Sequence, residues 1–124
     1  MLISVREEDP RPIYAQIIAE IKSQIRDGRL RPGDELPSVR ELGNALGINL
    51  HTVHKAYQTL RAQGVIRLRL GQRAKVAQRP EKPLNQAAAE SHLRSRLREL
   101  VTDAYHLGVS PDAFRRLVDE TLER

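Results

Sequence analysis

Between Leu36 and Tyr57 the chain reads LPSVRELGNALGINLHTVHKAY, and the Gly47-Ile48-Asn49 break at its middle constrains the fold most. Ser38 followed three residues later by Glu41 is a capping box, so a helix is predicted over about Val39 to Leu46. Gly47 stops it. Ile48 can plug a core, and Asn49 can cap a second helix running from about Leu50 to Gln63, where Gly64 ends it. Two short helices joined this tightly keep one fixed bend. At about 100° per residue, Val53, Ala56, Tyr57 and Leu60 share one side of the second helix and need a core. His51, Lys55 and Gln58 fall opposite, with Thr52 and His54 on the flanks. That second side carries donors and acceptors but no carboxylate, as a helix lying in an anionic groove requires. The pattern predicts a helix-turn-helix, with Arg40 near the start of its first helix able to reach phosphate or a base.

The surroundings sharpen this. PIYAQIIAEIKSQIRDG opens on a proline suited to a first helical turn. Tyr14, Ile17, Ile18, Ile21 and Ile25 then recur at helical spacing up to a stop at Gly28, giving a leading helix. RLRPGDELP reads as a loop. After Gly64, VIRLRL alternates, with Ile66, Leu68 and Leu70 expected on an inner face and Arg67 and Arg69 on an outer one. GQRA reads as a turn and KVA as the return, with Val76 inward. A helix-turn-helix followed by a basic hairpin is a winged helix. Its wing lies along the duplex, and its tip can enter a minor groove. Gly71 allows close approach, with Gln72 and Arg73 as the expected tip side chains.

Charge supports an anionic partner. Residues 1–80 hold 14 Lys/Arg against 8 Asp/Glu, while residues 81–124 hold 7 against 8. From Leu42 through Pro80 there are seven basic residues and no acidic one. Such a surface neutralises phosphates and binds with strong salt dependence. A membrane surface is disfavoured, because no aromatic or Leu-rich anchor accompanies the charges, and no apolar run has the length of a span. The absence of cysteine removes disulfide frameworks and thiolate zinc sites and suits a cytoplasmic setting. No enzymatic activity, cofactor or metal is expected: Ser38 has no partnered base, and neither a Gly-rich phosphate loop nor an HExxH motif occurs. His51 and His54 share a helical face without a third ligand. Contact with a base or phosphate accounts for both.

Beyond Arg79, QRPEKPLNQ reads as a linker. A helix is expected over about Leu84 to Leu107, with Leu93, Leu97, Leu100, Ala104 and Leu107 forming a seam of two heptads. Gly108 ends it. Ser110-Pro111 starts another helix with Phe114, Leu117, Val118, Thr121 and Leu122 on one stripe. Two such helices have no core of their own, so Leu93, Leu97, Leu100, Ala104, Leu107, Phe114, Leu117 and Leu122 are expected to pack against a second copy. His92 and His106 read as surface or interface residues, and Arg94, Arg96 and Arg98 as a solvated flank.

PIYAQI, LRPGDELPSVREL, TVHKAYQTL, GVI and the glycine-tipped wing together resemble the N-terminal DNA-binding domain of GntR-family bacterial transcription regulators, over about residues 10–77. The resemblance implies DNA contacts at Arg40, Asn49, His51, Thr52 and Gly71. The chain departs from the family pattern at Leu50 and His54, where a basic residue is common, so the operator does not carry over. It departs again in GQRAKVA, where a second glycine and an aromatic residue are common. The short tail is similar to the YtrA-type branch, whose tail serves mainly for dimerisation.

The expectation is therefore a mainly α fold with a small β-hairpin. Residues 1–79 form a winged helix-turn-helix and residues 80–124 a two-helix dimerisation tail. The function implied is a cytoplasmic, nucleoid-associated homodimeric repressor on a palindromic double-stranded operator. Its DNA surface is expected to comprise Ser38, Arg40, Asn49, His51, Thr52, His54, Lys55, Arg67, Arg69, Gly71, Gln72 and Arg73. A small-molecule effector of open identity would bind at the dimer interface or between tail and DNA-binding domain. Two alternatives use the same features: sequence-nonspecific nucleic-acid binding, and an adaptor built on a winged helix.

Overall fold

The computed structural model describes residues 3–78 and 85–123. The chain divides into two compact units, Met1–Arg79 and Pro80–Arg124. In the first, α1 (Ile13–Arg26), α2 (Val39–Leu46) and α3 (Leu50–Ala62) precede a two-stranded antiparallel hairpin, β1 (Ile66–Arg67) and β2 (Lys75–Val76). The second contains α4 (Gln86–His106) and α5 (Pro111–Leu122).

The core of the first unit is the apolar set that periodicity marks. Ile17 and Ile21 of α1, Leu42 of α2, and Val53, Ala56, Tyr57 and Leu60 of α3 are buried together with Leu30, Leu36, Ile66, Ala74 and Val76. α1 makes its main helix contact with α3. Burying one such aliphatic side chain stabilises by about 1.5–3 kcal/mol relative to exposure, so this helix pair anchors the unit. α2 lies on α3 as well. The two approach closely at Gly43, where a Cβ would stand 2.9 Å from Leu50 Cδ2 and 3.3 Å from the Ile48 carbonyl oxygen.

Three elements differ from the sequence expectation. Pro12 is the N-cap of α1 and stands outside its first turn. The RPGDELP segment is more than a loop: Leu36 N–H donates to Ala74 O (2.8 Å), Val76 N–H to Asp34 O (2.9 Å) and Gly33 N–H to Val76 O (2.9 Å). Glu35 thereby bridges Lys75 as a short third rung beside β2. The hairpin also turns earlier. Gln72 N–H donates to Arg69 O at 3.0 Å, and Gly71 takes φ +76° at the third turn position, where only glycine is unstrained. Leu70 is consequently fully exposed at the tip, not on the inner face.

Two buried glutamines were not anticipated. Gln24 donates through Nε2 to Glu20 Oε1 at 3.3 Å. Gln16 clamps the segment before α1: its Oε1 accepts from Arg6 N–H (2.8 Å), and its Nε2 donates to the Arg6 and Arg11 carbonyls (both 3.0 Å). The clamp holds Ile3 and Val5 against the core.

In the second unit, Asn85 Oδ1 accepts from Ala88 N–H at 3.0 Å and Ser110 Oγ from Ala113 N–H at 3.2 Å, capping α4 and α5. The expected helix start at Leu84 and most of the linker lie outside the described residues. Leu107 is the C-cap of α4 and not a seam position within it. Ala104 is already buried within its own chain, and Phe114 is half-buried. Leu93, Leu97, Leu100, Val101, Leu117 and Leu122 remain about half or more exposed. Among the described residues no helix is long and apolar enough to cross a membrane.

Gln16→Ala should lower stability by about 1–3 kcal/mol, because the substitution strands Arg6 N–H and two carbonyls in a partly buried site. Urea denaturation followed by circular dichroism measures this; an unchanged midpoint would mean that the clamp does not hold the leading segment.

Candidate nucleic-acid interface

The interface is built on two capped helix starts. Ser38 Oγ accepts from Glu41 N–H at 3.0 Å, and Asn49 Oδ1 accepts from His51 N–H at 2.8 Å. Each cap satisfies one orphan donor and leaves the remaining N–H groups and the positive end of the helix dipole available to an anion. Gly47 closes α2 at φ +67°, and Ile48 N–H donates back to Gly43 O at 3.0 Å. These bonds fix the bend between α2 and α3.

α3 divides as its sequence indicates. Val53, Ala56, Tyr57 and Leu60 are buried. His51, His54 and Lys55 are exposed, Thr52 half-buried, and Arg40 and Asn49 exposed beside them. Two side chains on this helix have other partners. The Lys55 ammonium stands 4.0 Å from the centroid of the Tyr14 ring on α1, a cation–π contact. Gln58 Oε1 accepts from Arg61 at 3.2 Å. Among the described residues, the outward group without such a contact is therefore Arg40, Thr52, His51 and His54 rather than the Lys55 stripe.

Tyr57 fixes the approach to α2. Its hydroxyl, on a ring only 2% exposed, donates to Pro37 O at 2.6 Å. Burial pushes the phenol well above its ordinary range, with the nearby Glu41 carboxylate adding to the effect. This hydroxyl serves the residue preceding the Ser38 cap, so it is a structural anchor for the first helix of the motif.

The wing carries Arg67, Arg69, Gln72, Arg73 and Lys75 around a recess of about 70 Å³. Its tip is Leu70-Gly71, whereas Gln72 and Arg73 stand on the descending limb. Arg73 does not point out from a tip. Its Nη2 meets Glu41 Oε1 at 2.6 Å, tying the wing to the first turn of α2. The Arg73 guanidinium holds the Glu41 carboxyl below its ordinary value, and the Ser38 hydroxyl and backbone N–H lower it further. Among the described residues, Arg40, Arg67, Arg69 and Lys75 form no ion pair. No group of three or more metal-ligating side chains is assembled among them either.

Sequence reasoning missed the Glu41–Arg73, Tyr57–Pro37 and Lys55–Tyr14 contacts. Each joins residues far apart in sequence that periodicity assigns separately. The S-x-x-E pattern explained Glu41 locally and gave no signal for its distant partner.

A family model described as "Bacterial regulatory proteins, gntR family" matches residues 13–76. The chain is 34% identical over 115 residues to the HTH-type transcriptional repressor YtrA of Bacillus subtilis, spanning 90% of this chain and 88% of that protein. It is similar to the crystal structure of a transcriptional antiterminator from Listeria monocytogenes EGD-e, with a TM-score of 0.87 and 32% identity, covering 98% of this chain and 90% of that one. It also resembles AraR(DBD) solved in complex with operator ORX1, with a TM-score of 0.53 and 32% identity, covering 62% of this chain and 93% of that one.

Tyr57→Phe should lower stability by about 1–3 kcal/mol by leaving the Pro37 carbonyl without its donor. Thermal unfolding of the two proteins measures it; equal midpoints would remove the hydroxyl from its anchoring role.

Proposed function

The chain belongs to the gntR family of bacterial regulatory proteins, and from that premise we propose that it is a homodimeric, sequence-specific transcription repressor acting on a palindromic operator. In this reading α3 enters the major groove, and the wing follows the adjacent backbone or minor groove. Arg40, Asn49, His51, Thr52 and His54 meet base edges and phosphates. Ser38 orients the start of α2 toward phosphate, Arg67 and Arg69 line the backbone, and Gly71 lets the wing tip approach. Lys55 reaches phosphate only by leaving the Tyr14 ring. Repression follows from promoter occlusion.

The observation that carries the reading is the outward side of the bent helix pair. Two capped helix starts and the exposed Arg40, His51 and His54 sit in a unit whose residues from Leu42 to Gln78 include no acid. A reader of base edges needs donors and acceptors without carboxylates facing phosphates. The similarity to YtrA, a transcriptional repressor, and to AraR(DBD), solved in complex with operator ORX1, points the same way.

The tail supplies the two-fold. Leu93 at 65%, Leu97 at 48% and Leu100 at 53% exposure on α4, with Leu117 at 51% and Leu122 at 77% on α5, form more apolar surface than a lone tail keeps in water. A second copy covers it, with Leu107 at the rim and Ala104 and Phe114 beneath. Closed two-fold symmetry then requires a palindrome with half-sites about 34–36 Å apart. An effector, where one acts, binds in this paired tail surface, next to the groove of about 430 Å³ lined by Leu97, Val101, Tyr105 and Phe114.

Selection from a random duplex pool should return one palindromic motif; a pool without a consensus would leave only sequence-nonspecific binding. On the selected duplex, Arg40→Ala should raise Kd by an amount equal to about 1–3 kcal/mol, and unchanged affinity would remove Arg40 from the site. Leu97→Asp should convert dimers to monomers in sedimentation velocity, and an intact dimer would contradict the α4 seam.

A further inference from the structure

The surface proposed to meet duplex is free of acid from Leu42 to Gln78, yet Glu41 stands at its edge. Its side chain is 51% exposed and holds the guanidinium of Arg73, itself 46% exposed, at 2.6 Å. Capping and the helix dipole favour a carboxylate at this first-turn position only modestly. A capping box works with Gln as well as with Glu, and the two residues have nearly equal helix propensity. An ion pair this exposed contributes only about 0–1 kcal/mol. What the carboxylate does change is the electrostatics of the wing. Arg67, Arg69 and Lys75 face solvent without an acid within ion-pair distance among the described residues, while Arg73 is neutralised by its partner. For Arg73 to bind phosphate, Glu41 must be left bare beside a polyanion.

We propose that Glu41 gates Arg73: on arbitrary sequence the pair stays closed and Arg73 contributes nothing, whereas on the operator Arg73 transfers from Glu41 to a backbone phosphate. The inference rests on the duplex-binding reading above. The physical basis is that the pair is weak and the exchange short-range. A loosely docked complex offers Arg73 a phosphate too poorly placed to outcompete the carboxylate at 2.6 Å, although a guanidinium without that partner reaches it. Base contacts by α3 seat the unit and do so. One phosphate contact is thereby reserved for the correct site, which raises the ratio of specific to nonspecific affinity without adding a base contact. Glu41 is in this sense a specificity-determining residue that touches no base.

Salt dependence reads the number of phosphates neutralised, since log Kobs falls with log salt by about 0.9 per phosphate on duplex DNA. Four full-length proteins are compared by fluorescence anisotropy on random-sequence duplex and on the selected operator: wild type, Glu41→Gln, Arg73→Gln and the double variant. Glu41→Gln keeps the capping box, and thermal melts check that all four fold.

On random duplex, Glu41→Gln should bind several-fold tighter, with a slope steeper by about one. Arg73→Gln should keep the wild-type slope there, with affinity no higher than wild type because Glu41 is left bare, and the double variant should return to the wild-type slope. On the operator, Arg73→Gln should lose about one unit of slope and Glu41→Gln should keep the wild-type slope. Parallel wild-type and Glu41→Gln plots on random duplex would overturn the gate. So would a slope lost by Arg73→Gln on both duplexes. A wild type that discriminates operator from random DNA while the slopes stay parallel sinks the gate alone. A wild type that does not discriminate, or does not bind, sinks the repressor reading and the gate together.

Discussion

The burial of one side of α3 against α1 is the constraint on which the rest depends. Ile17 and Ile21 leave no accessible surface, nor do Val53, Ala56 and Leu60 on the facing helix. Because the helical period is about 3.6 residues, seating that stripe dictates where every other α3 side chain projects. On α3, His51 and His54 face outward because the positions next to them are inside. A close-packed core does not permit a modest rotation of the helix without opening a void, and the outward set is rigid for that reason.

The second determinant is how α2 and the wing are attached to α3. Tyr57 reaches from the buried side of α3 to the Pro37 carbonyl and fixes the residue before the Ser38 cap. The chain at Leu36 then hydrogen-bonds to Ala74, joining the entry of α2 to the root of the wing. Glu41 and Arg73 add a surface tie between the same elements. The start of α2, the bend and the wing are thus linked through short contacts to one helix. A reader of duplex needs this arrangement, since a small misplacement of a side chain on a base edge forfeits a directional hydrogen bond.

Much of the first unit is legible in sequence because its signals are local. Ser38 and Glu41, Gly47, Asn49 and the spacing of Val53, Ala56, Tyr57 and Leu60 each act within a turn or two of helix, and α2 and α3 form where these residues place them. The hairpin was less legible. Alternation in VIRLRL continues to Leu70, but strand pairing stops at Arg67, as the chain turns at Leu70-Gly71, and the opposite edge of β2 hydrogen-bonds to Asp34 and Leu36. Periodicity cannot register a third rung supplied by a distant loop. The same limit hid the Gln16 clamp, which looks like an ordinary polar position on α1 until the leading segment folds over it. On the outward face, sequence marks residue types suited to an anion but not their existing partners, so Lys55 and Arg73 look freer in the sequence than they are.

α3, with the start of α2 and the wing, should be the surface that meets duplex. Titrating isotope-labelled protein with the selected duplex and following backbone amide shifts tests this most directly. Perturbations should concentrate at Arg40, Asn49, His51, Thr52, His54, Arg69 and Gly71, with α5 unaffected. Shifts clustered on α4 and α5 that leave Asn49 to His54 unmoved would contradict it.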